Sequence, residues 1–419
     1  MIERNILDNG VRVMGQSTKG SFAASVLVTV KTGSRNEPSE VHGISHFLEH
    51  MTFKGTVKRP TFQEITREVD SMGAFHNAFT GKEYTGYYIK ADNKHFENSL
   101  DILSDIVFDS SLKEEEITRE KGTIIEEINM YEDDPSTLVY MLFDEIVCGN
   151  KLVAQDSLGR KESVRIINRQ KMLDYRSKYY KAGNIVISCS GSLPGNYISL
   201  IKKYFGGVTS GVEDYLPEEE NSLQKNRVIL RNKETEQSHI VLGLESFSRK
   251  DPNRYAVDLL SVILGGNASS RLMVEIREKR GLAYHVASMV DRGFDNGAVL
   301  VKADLNLKGT EEGLKIILSE MQRMKTDITS GDLERAKDYV RGSMALAEEN
   351  SLVIAEKNAI EDILGEKALT LSERIKKYEE VSLDDLFRMA EEIFKQEKMK
   401  LAVIGPFQNE QKFAKILQG

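Results

Sequence analysis

Apolar positions along the chain follow two rhythms. Residues 24–31 (Ala-Ser-Val-Leu-Val-Thr-Val-Lys) form a short β-branched run, which predicts a strand. Ile44, Phe47 and Met51 recur at helical spacing, and Gly55 is placed to cap that helix. Thr61, after Pro60, opens a second helix with apolar Ile65 and Val69. Gly73 to Ala91 alternates and is rich in Phe, Thr and Tyr, the pattern of a hairpin. Residues 93–108 and 113–131 are helical by period. A loop at Asp133-Asp134-Pro135 follows, then a helix, a long helix near 164–181, and a strand from Asn184 to Gly191.

The second half repeats the first. Ser34-Arg35-Asn36-Glu37-Pro38 corresponds to Ser248-Arg249-Lys250-Asp251-Pro252, an offset of 214. The same offset lays Ile185–Gly191 over Met399–Gly405, and Tyr179 and Tyr180 over Ile393 and Phe394. One offset at both ends means two copies of nearly equal length. Each mixes helices with short strands, so the expected class is α+β, two layered domains in tandem. The expected division is a first domain at 1–210, an acidic, Pro-containing linker at 211–226, and a second domain at 227–419.

Composition narrows the function classes. A chain of 419 residues exceeds one ordinary core. A net charge of −8 disfavours nucleic acid and anionic membrane as partners. Two cysteines, Cys148 and Cys189, without a CxxC pair, exclude a Cys-based zinc site and a disulfide framework. The start reads as strand–turn–strand rather than a targeting segment, and no apolar run reaches membrane-spanning length. These absences lead to the expectation of a cytoplasmic protein.

The candidate chemistry lies in Ser45-His46-Phe47-Leu48-Glu49-His50-Met51. His46 and His50 are four residues apart and share one helical face, so both imidazoles can bind one Zn²⁺. Glu49 borders the same site and can take a proton from a metal-activated water. Shifted by 214, His46, Glu49 and His50 fall on Leu260, Ile263 and Leu264. One copy packs this helix with aliphatics and the other replaces them with two His and a Glu, which favours function over packing. A catalytic zinc needs a third protein ligand. The candidates are Glu116, Glu120, Glu126 and Glu127; Glu120 and Glu127, seven apart, share a face. Helical geometry alone does not choose among them.

His46–His50 followed by Glu120 and Glu127, within Gly43-Ile-Ser-His-Phe-Leu-Glu-His-Met-Thr-Phe-Lys-Gly-Thr56, resembles the pitrilysin-type zinc metallopeptidases, the inverzincins. It is most similar to the bacterial branch related to mitochondrial processing peptidase, and the resemblance covers essentially the whole chain. It implies tandem domains of antiparallel sheet with helices packed on it. It implies one zinc per chain on His46, His50 and Glu127, the last 77 residues after the second His. Glu49 would be the general base, and Glu120 would orient His50. The stretch around Phe75, Asn77, Ala78 and Phe79 resembles the family's substrate strand, which pairs with an extended peptide. Arg277 and Tyr284 match a family pair that binds the substrate backbone and stabilises the charged intermediate. They follow Gly265-Gly266-Asn-Ala-Ser, which lacks a P-loop Lys and GxGxxG; Arg277 falls in a helix near 270–280 capped at Gly281, with Tyr284 just beyond.

The resemblance further implies an endopeptidase for short or unfolded peptides, working in a closed chamber formed by a homodimer with sites shared between chains. No nucleic-acid or membrane partner is expected. The competing reading is a non-catalytic structural subunit, like the core proteins of a respiratory complex that share the fold. Such scaffolds typically lose the His or Glu, and every motif position is present here. His42, His76, His95, His239 and His285 each lack a second ligand at helix spacing and are not expected to bind metal.

Overall fold

A computed structural model describes residues 1–149, 151–216 and 226–418. The chain runs β1 (Glu3–Ile6), β2 (Arg12–Ser17), β3 (Ala23–Val30), α1 (Ile44–Thr52), α2 (Phe62–Ser71), β4 (Phe75–Thr80) and β5 (Thr85–Asp92). Then come α3 (Phe96–Phe108), α4 (Glu114–Asp133), α5 (Pro135–Cys148), α6 (Lys161–Ile166), α7 (Arg169–Tyr179), β6 (Ile185–Gly191) and α8 (Tyr197–Phe205). The second half holds β7 (Val228–Asn232), β8 (Gln237–Glu245), α9 (Arg254–Gly265), a π-helical segment (Met273–Glu278), β9 (Ala283–Arg292) and β10 (Gly297–Asn306). It closes with α10 (Thr310–Arg323), α11 (Ser330–Ala347), α12 (Ser351–Ile363), α13 (Leu371–Glu379), α14 (Leu383–Ile393), β11 (Lys400–Gly405) and α15 (Glu410–Gln418). None of the described helices is long and apolar enough to cross a membrane.

Two sheets organise these elements. The first runs β1-β2-β6-β3-β5-β4 and the second β7-β11-β8-β10-β9. The 214-residue offset carries β3 onto β8, α3 onto α10, α5 onto α12 and α7 onto α14, and the sheet order repeats with it. Each sheet is antiparallel except for one parallel pair, β2–β6 in the first and β7–β11 in the second. The expected antiparallel sheets with helices packed on them are present, each with this one parallel pair. In each copy the last strand, β6 or β11, returns beside an early one, β2 or β7.

Compactness and chain order part at two helices. One unit comprises residues 1–129, 155–218 and 345–371, and the other 130–154, 219–344 and 372–419. Thus α5, from the first half of the sequence, completes the second unit. Its Val139, Leu142, Phe143 and Ile146 pack on Val241, Leu300, Ala402 and Ile404. Alternation along β8 turns Ile240, Leu242 and Leu244 the other way, into the core with α9, α10 and α14. Reciprocally, α12 belongs to the first unit and lies on β2, β3 and β6. That layer is polar: Ser351 meets Ser25, Asn358 bonds Gln16, and Asp362 pairs with Arg12. Residues 217–225 of the expected linker lie outside the described residues.

Local expectations change in three places. Gly55 does not cap α1: the helix stops at Thr52, where the Phe53 N–H turns back to the His50 and Met51 carbonyls. The long helix near 164–181 is two helices, because Ile167 is extended and buried and the Asn168 side chain caps α7 by accepting from Lys171 N–H. The helix near 270–280 winds as a π-helix, and Gly281 at φ +61° ends it.

Candidate metal centre

Helix α1 buries Ile44, Phe47, Leu48 and Met51 in the first unit, which fixes its rotation. The opposite face then presents His46, Glu49 and His50. Gly43 begins the helix at φ +93°, and a Cβ there would stand 2.8 Å from Leu158 O, so only glycine fits. Helix α4 buries Ile117, Ile124 and Ile128 at the same period, with Glu120 buried among them and Glu127 half-buried on that side.

Three donors converge. His46 Nε2 lies 3.1 Å from His50 Nε2. Glu127 Oε2 lies 3.7 Å from His46 Nε2 and 3.5 Å from His50 Nε2. Tetrahedral zinc with bonds near ~2.0–2.1 Å sets its ligands about 3.3 Å apart, so this donor set fits the ion. Among the described residues, no other three His, Cys, Asp or Glu side chains converge in this way. Of the other acidic candidates, Glu116 pairs with Arg119 and Glu126 is exposed.

Glu120 stands behind the donors. His50 Nδ1–H donates to Glu120 Oε1 at 2.9 Å, which leaves the Nε2 lone pair facing Glu127 and His46. Lys54 Nζ reaches the other Glu120 oxygen at 2.6 Å. Burial alone would raise the Glu120 carboxyl, but the hydrogen bonds from His50 and Lys54 outweigh it and hold it below the usual Glu value. Burial also opposes a charge on His50, yet Glu120, Glu49 and Glu127 together raise its pKa. Burial, then the neighbouring His50, pushes His46 down to about 3, so it stays neutral near pH 7. His46 Nδ1 is buried without a hydrogen-bond partner among the described residues, so no partner sets its tautomer.

Glu49 faces the same space. Its Oε2 accepts a hydrogen bond from Thr80 Oγ1 at 2.7 Å. Burial raises its carboxyl, against the lowering effect of Thr80. Thr80 ends β4, the edge strand of the first sheet, which pairs on one side with β5. Phe75 is 60% exposed on that edge, Asn77 is also exposed, Ala78 is half-buried, and Phe79 packs against Tyr84 and over Gly86. Thr80 and Lys54 are not legible as site residues in the sequence. Their one available signal was proximity in sequence to Phe79 and to the motif.

In the second unit, Arg277 sits on the π-helical segment and Tyr284 at the start of β9. The guanidinium lies 4.8 Å over the Tyr284 ring, and Tyr284 is 76% exposed. The remaining histidines have other partners or neighbours: His42 Nε2 meets Asp156 O at 2.8 Å, His76 lies beside Phe53, and His239 Nδ1 meets Asp304 at 2.6 Å.

Comparison with known proteins divides the chain near residue 160, ahead of the repeat boundary. Residues 12–159 match the family described as insulinase (peptidase family M16), and residues 167–340 match the one described as peptidase M16 inactive domain. The "uncharacterized zinc protease YmxG" of Bacillus subtilis is 34% identical over 98% of this chain and 99% of its own. The chain belongs to peptidase family M16. Among solved structures, a protease from Helicobacter pylori superposes with a TM-score of 0.88 at 23% identity, covering 97% of this chain and 99% of that one. A chain of Complex III2 from Candida albicans superposes at 0.85 and 19%, with both chains fully covered. Both share the M16 fold. The second M16 domain carries Leu260, Ile263 and Leu264, all buried, where the first carries His46, Glu49 and His50.

Proposed function

We propose that this M16 protein is a zinc-dependent endopeptidase that cleaves short or unfolded peptides. The observation that carries the reading is the convergence of His46 Nε2, His50 Nε2 and Glu127 Oε2 at 3.1–3.7 Å beside a carboxylate, Glu49, that holds none of them. His46, His50 and Glu127 hold one zinc per chain. When bound, zinc supplies Lewis acidity to a water and to the scissile carbonyl. Glu49 would take a proton from the attacking water and return it to the leaving amine. Glu120 holds His50 in the tautomer that offers Nε2.

The peptide adds as a strand along the open edge of β4, its backbone paired there and its alternate side chains beside Phe75, Asn77, Ala78 and Phe79. Arg277 and Tyr284 grip the substrate backbone and the charge that develops on it. In a homodimer, these two residues serve the centre of the other chain.

The test is hydrolysis of a mixed library of short peptides, with metal analysis of the purified protein. Cleavage that stops with a chelator and returns with zinc supports the reading. No zinc uptake and no cleavage after zinc is offered refutes it and favours a structural subunit. Mixing Glu49→Gln chains with Arg277→Ala chains restores part of the activity if sites are shared; no rescue in confirmed heterodimers confines each site to one chain.

A further inference from the structure

A peptide laid along β4 presents one chosen bond to the centre on α1 only if strand and helix keep a fixed spacing. Both are fastened to the same loop, Gly33–Glu37, which so far has no part in the chemistry. Ser34, Arg35, Asn36 and Glu37 are buried, and Ser34–Asn36 forms one 3₁₀ turn.

On the helix side, the Gly43 N–H donates to Glu37 Oε2 at 2.6 Å and the Ser45 N–H to Glu37 Oε1 at 2.8 Å. These donors open α1, whose N-cap glycine has no side chain to satisfy them. The two side-chain oxygens of Glu37 take that place from the loop. His46 is the next residue. On the strand side, Ser34 N–H and Arg35 N–H donate to Gly81 O and Lys82 O at 3.3 and 2.9 Å. Arg35 Nη1 donates to Glu83 Oε1 at 2.7 Å, with both side chains buried. Residues 81–84 are the turn that joins β4 to β5. Gly33 lets the turn approach: a Cβ there would stand 2.1 Å from Gly81 O.

Resting on the peptidase reading, we infer that Gly33–Glu37 is a positioning loop that sets the cleavage register. Glu37 holds the metal-bearing helix. Gly33 and Arg35 hold the turn of the substrate strand. Their fixed separation decides which bond of the bound peptide meets the centre. The second copy keeps the backbone part, with Arg249 N–H on Gly293 O at 3.2 Å. There Asp251 accepts from Asn253 N–H at 2.8 Å, ahead of a helix without metal ligands. The two-oxygen cap on the helix belongs to the copy that carries His46 and His50.

The test uses full-length protein with Gly33→Ala, Arg35→Lys and Glu37→Gln. Zinc Kd is read by chelator competition. Cleavage of a peptide cut at one bond gives KM, kcat and product masses. Peptide Kd is read in a Glu49→Gln background, and the folded fraction by thermal unfolding. Gly33→Ala and Arg35→Lys should raise KM and peptide Kd about tenfold and spread cleavage to neighbouring bonds, with zinc Kd within about twofold of wild type. Glu37→Gln should raise zinc Kd about tenfold and leave peptide Kd within about twofold. Wild-type register and peptide Kd in Gly33→Ala, or wild-type zinc affinity in Glu37→Gln, overturns the inference. So does a loss of both affinities that only tracks the folded fraction. Neither Kd arm needs turnover, so a chain that binds zinc and peptide but cleaves nothing refutes the peptidase reading and with it the register, while the two affinities still test the positioning of helix and strand.

Discussion

Replacing Glu120 by Gln isolates the support behind the metal donors. The change keeps size and one acceptor oxygen but removes the charge. Glu120 is 5% exposed, accepts from His50 Nδ1–H at 2.9 Å, and holds Lys54 Nζ at 2.6 Å. A Gln can turn its oxygen to His50, which sets its amide NH₂ against the Lys54 ammonium, donor to donor. Turned the other way, its NH₂ faces His50 Nδ1 and drives the His50 proton to Nε2, the nitrogen a metal needs. Either way one charge-assisted hydrogen bond is lost in a buried place. Such a bond contributes ~1.5–3 kcal/mol, equivalent to a roughly 10–150-fold rise in zinc Kd. The lower part of that range is expected, because Lys54 is 26% exposed and recovers some hydration. Competition with a chromophoric chelator at constant pH gives the Kd, and thermal unfolding checks that the fold is kept. A Kd within about twofold of wild type would show that Glu120 does not prepare His50.

Three further outcomes are expected. Glu49→Gln keeps zinc at wild-type stoichiometry and lowers cleavage by about 10²–10⁴-fold; appreciable turnover with full zinc occupancy removes Glu49 as the base. In the metal-free protein, His46 makes stability fall as pH drops below the ordinary His value of about 6.5, against the raised carboxyl of Glu49. Below that value the unfolded chain protonates at His46 while the folded one resists to about pH 3, costing at most about 1.4 kcal/mol per pH unit. The lowered Glu120 carboxyl adds to the loss below the usual Glu range. His50, with a raised pKa, makes a contribution that fades as pH climbs above 6.5. A thermal midpoint unchanged between pH 6.5 and 5 contradicts this account. Phe143→Ala empties a fully buried site between α5 and the second sheet and should cost ~3–5 kcal/mol; a loss under about 1 kcal/mol in chemical denaturation would mean that α5 does not anchor there.

The most legible feature of the sequence was its repetition. One offset, taken from a five-residue match and a terminal strand, also superposes α3 on α10 and α7 on α14, because duplicated elements keep their spacing when insertions are few. The motif helix was readable because two imidazoles at i and i+4 have few bland explanations. Less visible was anything decided by distant residues. The break at Ile167–Asn168 depends on a side-chain cap that competes with an otherwise helical stretch. The π-helical turn under Arg277 leaves the apolar period almost unchanged. Glu37 reads as one acid in a loop until its two oxygens are seen on Gly43 and Ser45. Thr80 and Lys54 act through partners 31 and 66 residues away, Glu49 and Glu120, a separation that no local pattern encodes. The exchange of α5 and α12 leaves no trace in periodicity, since nothing local in either helix says which sheet receives it.

That exchange bears on how the polypeptide is born. A ribosome that has released only the first half has delivered α5 without the sheet it covers, and the first sheet still waits for α12, some 150 residues further on. Severed at the acidic stretch between the halves, the two fragments would each present a bare sheet face and a stray amphipathic helix, and each would be the remedy for the other. Produced apart, they should be poorly soluble; produced together in one cell, they should reconstitute the native pair without a peptide bond between them.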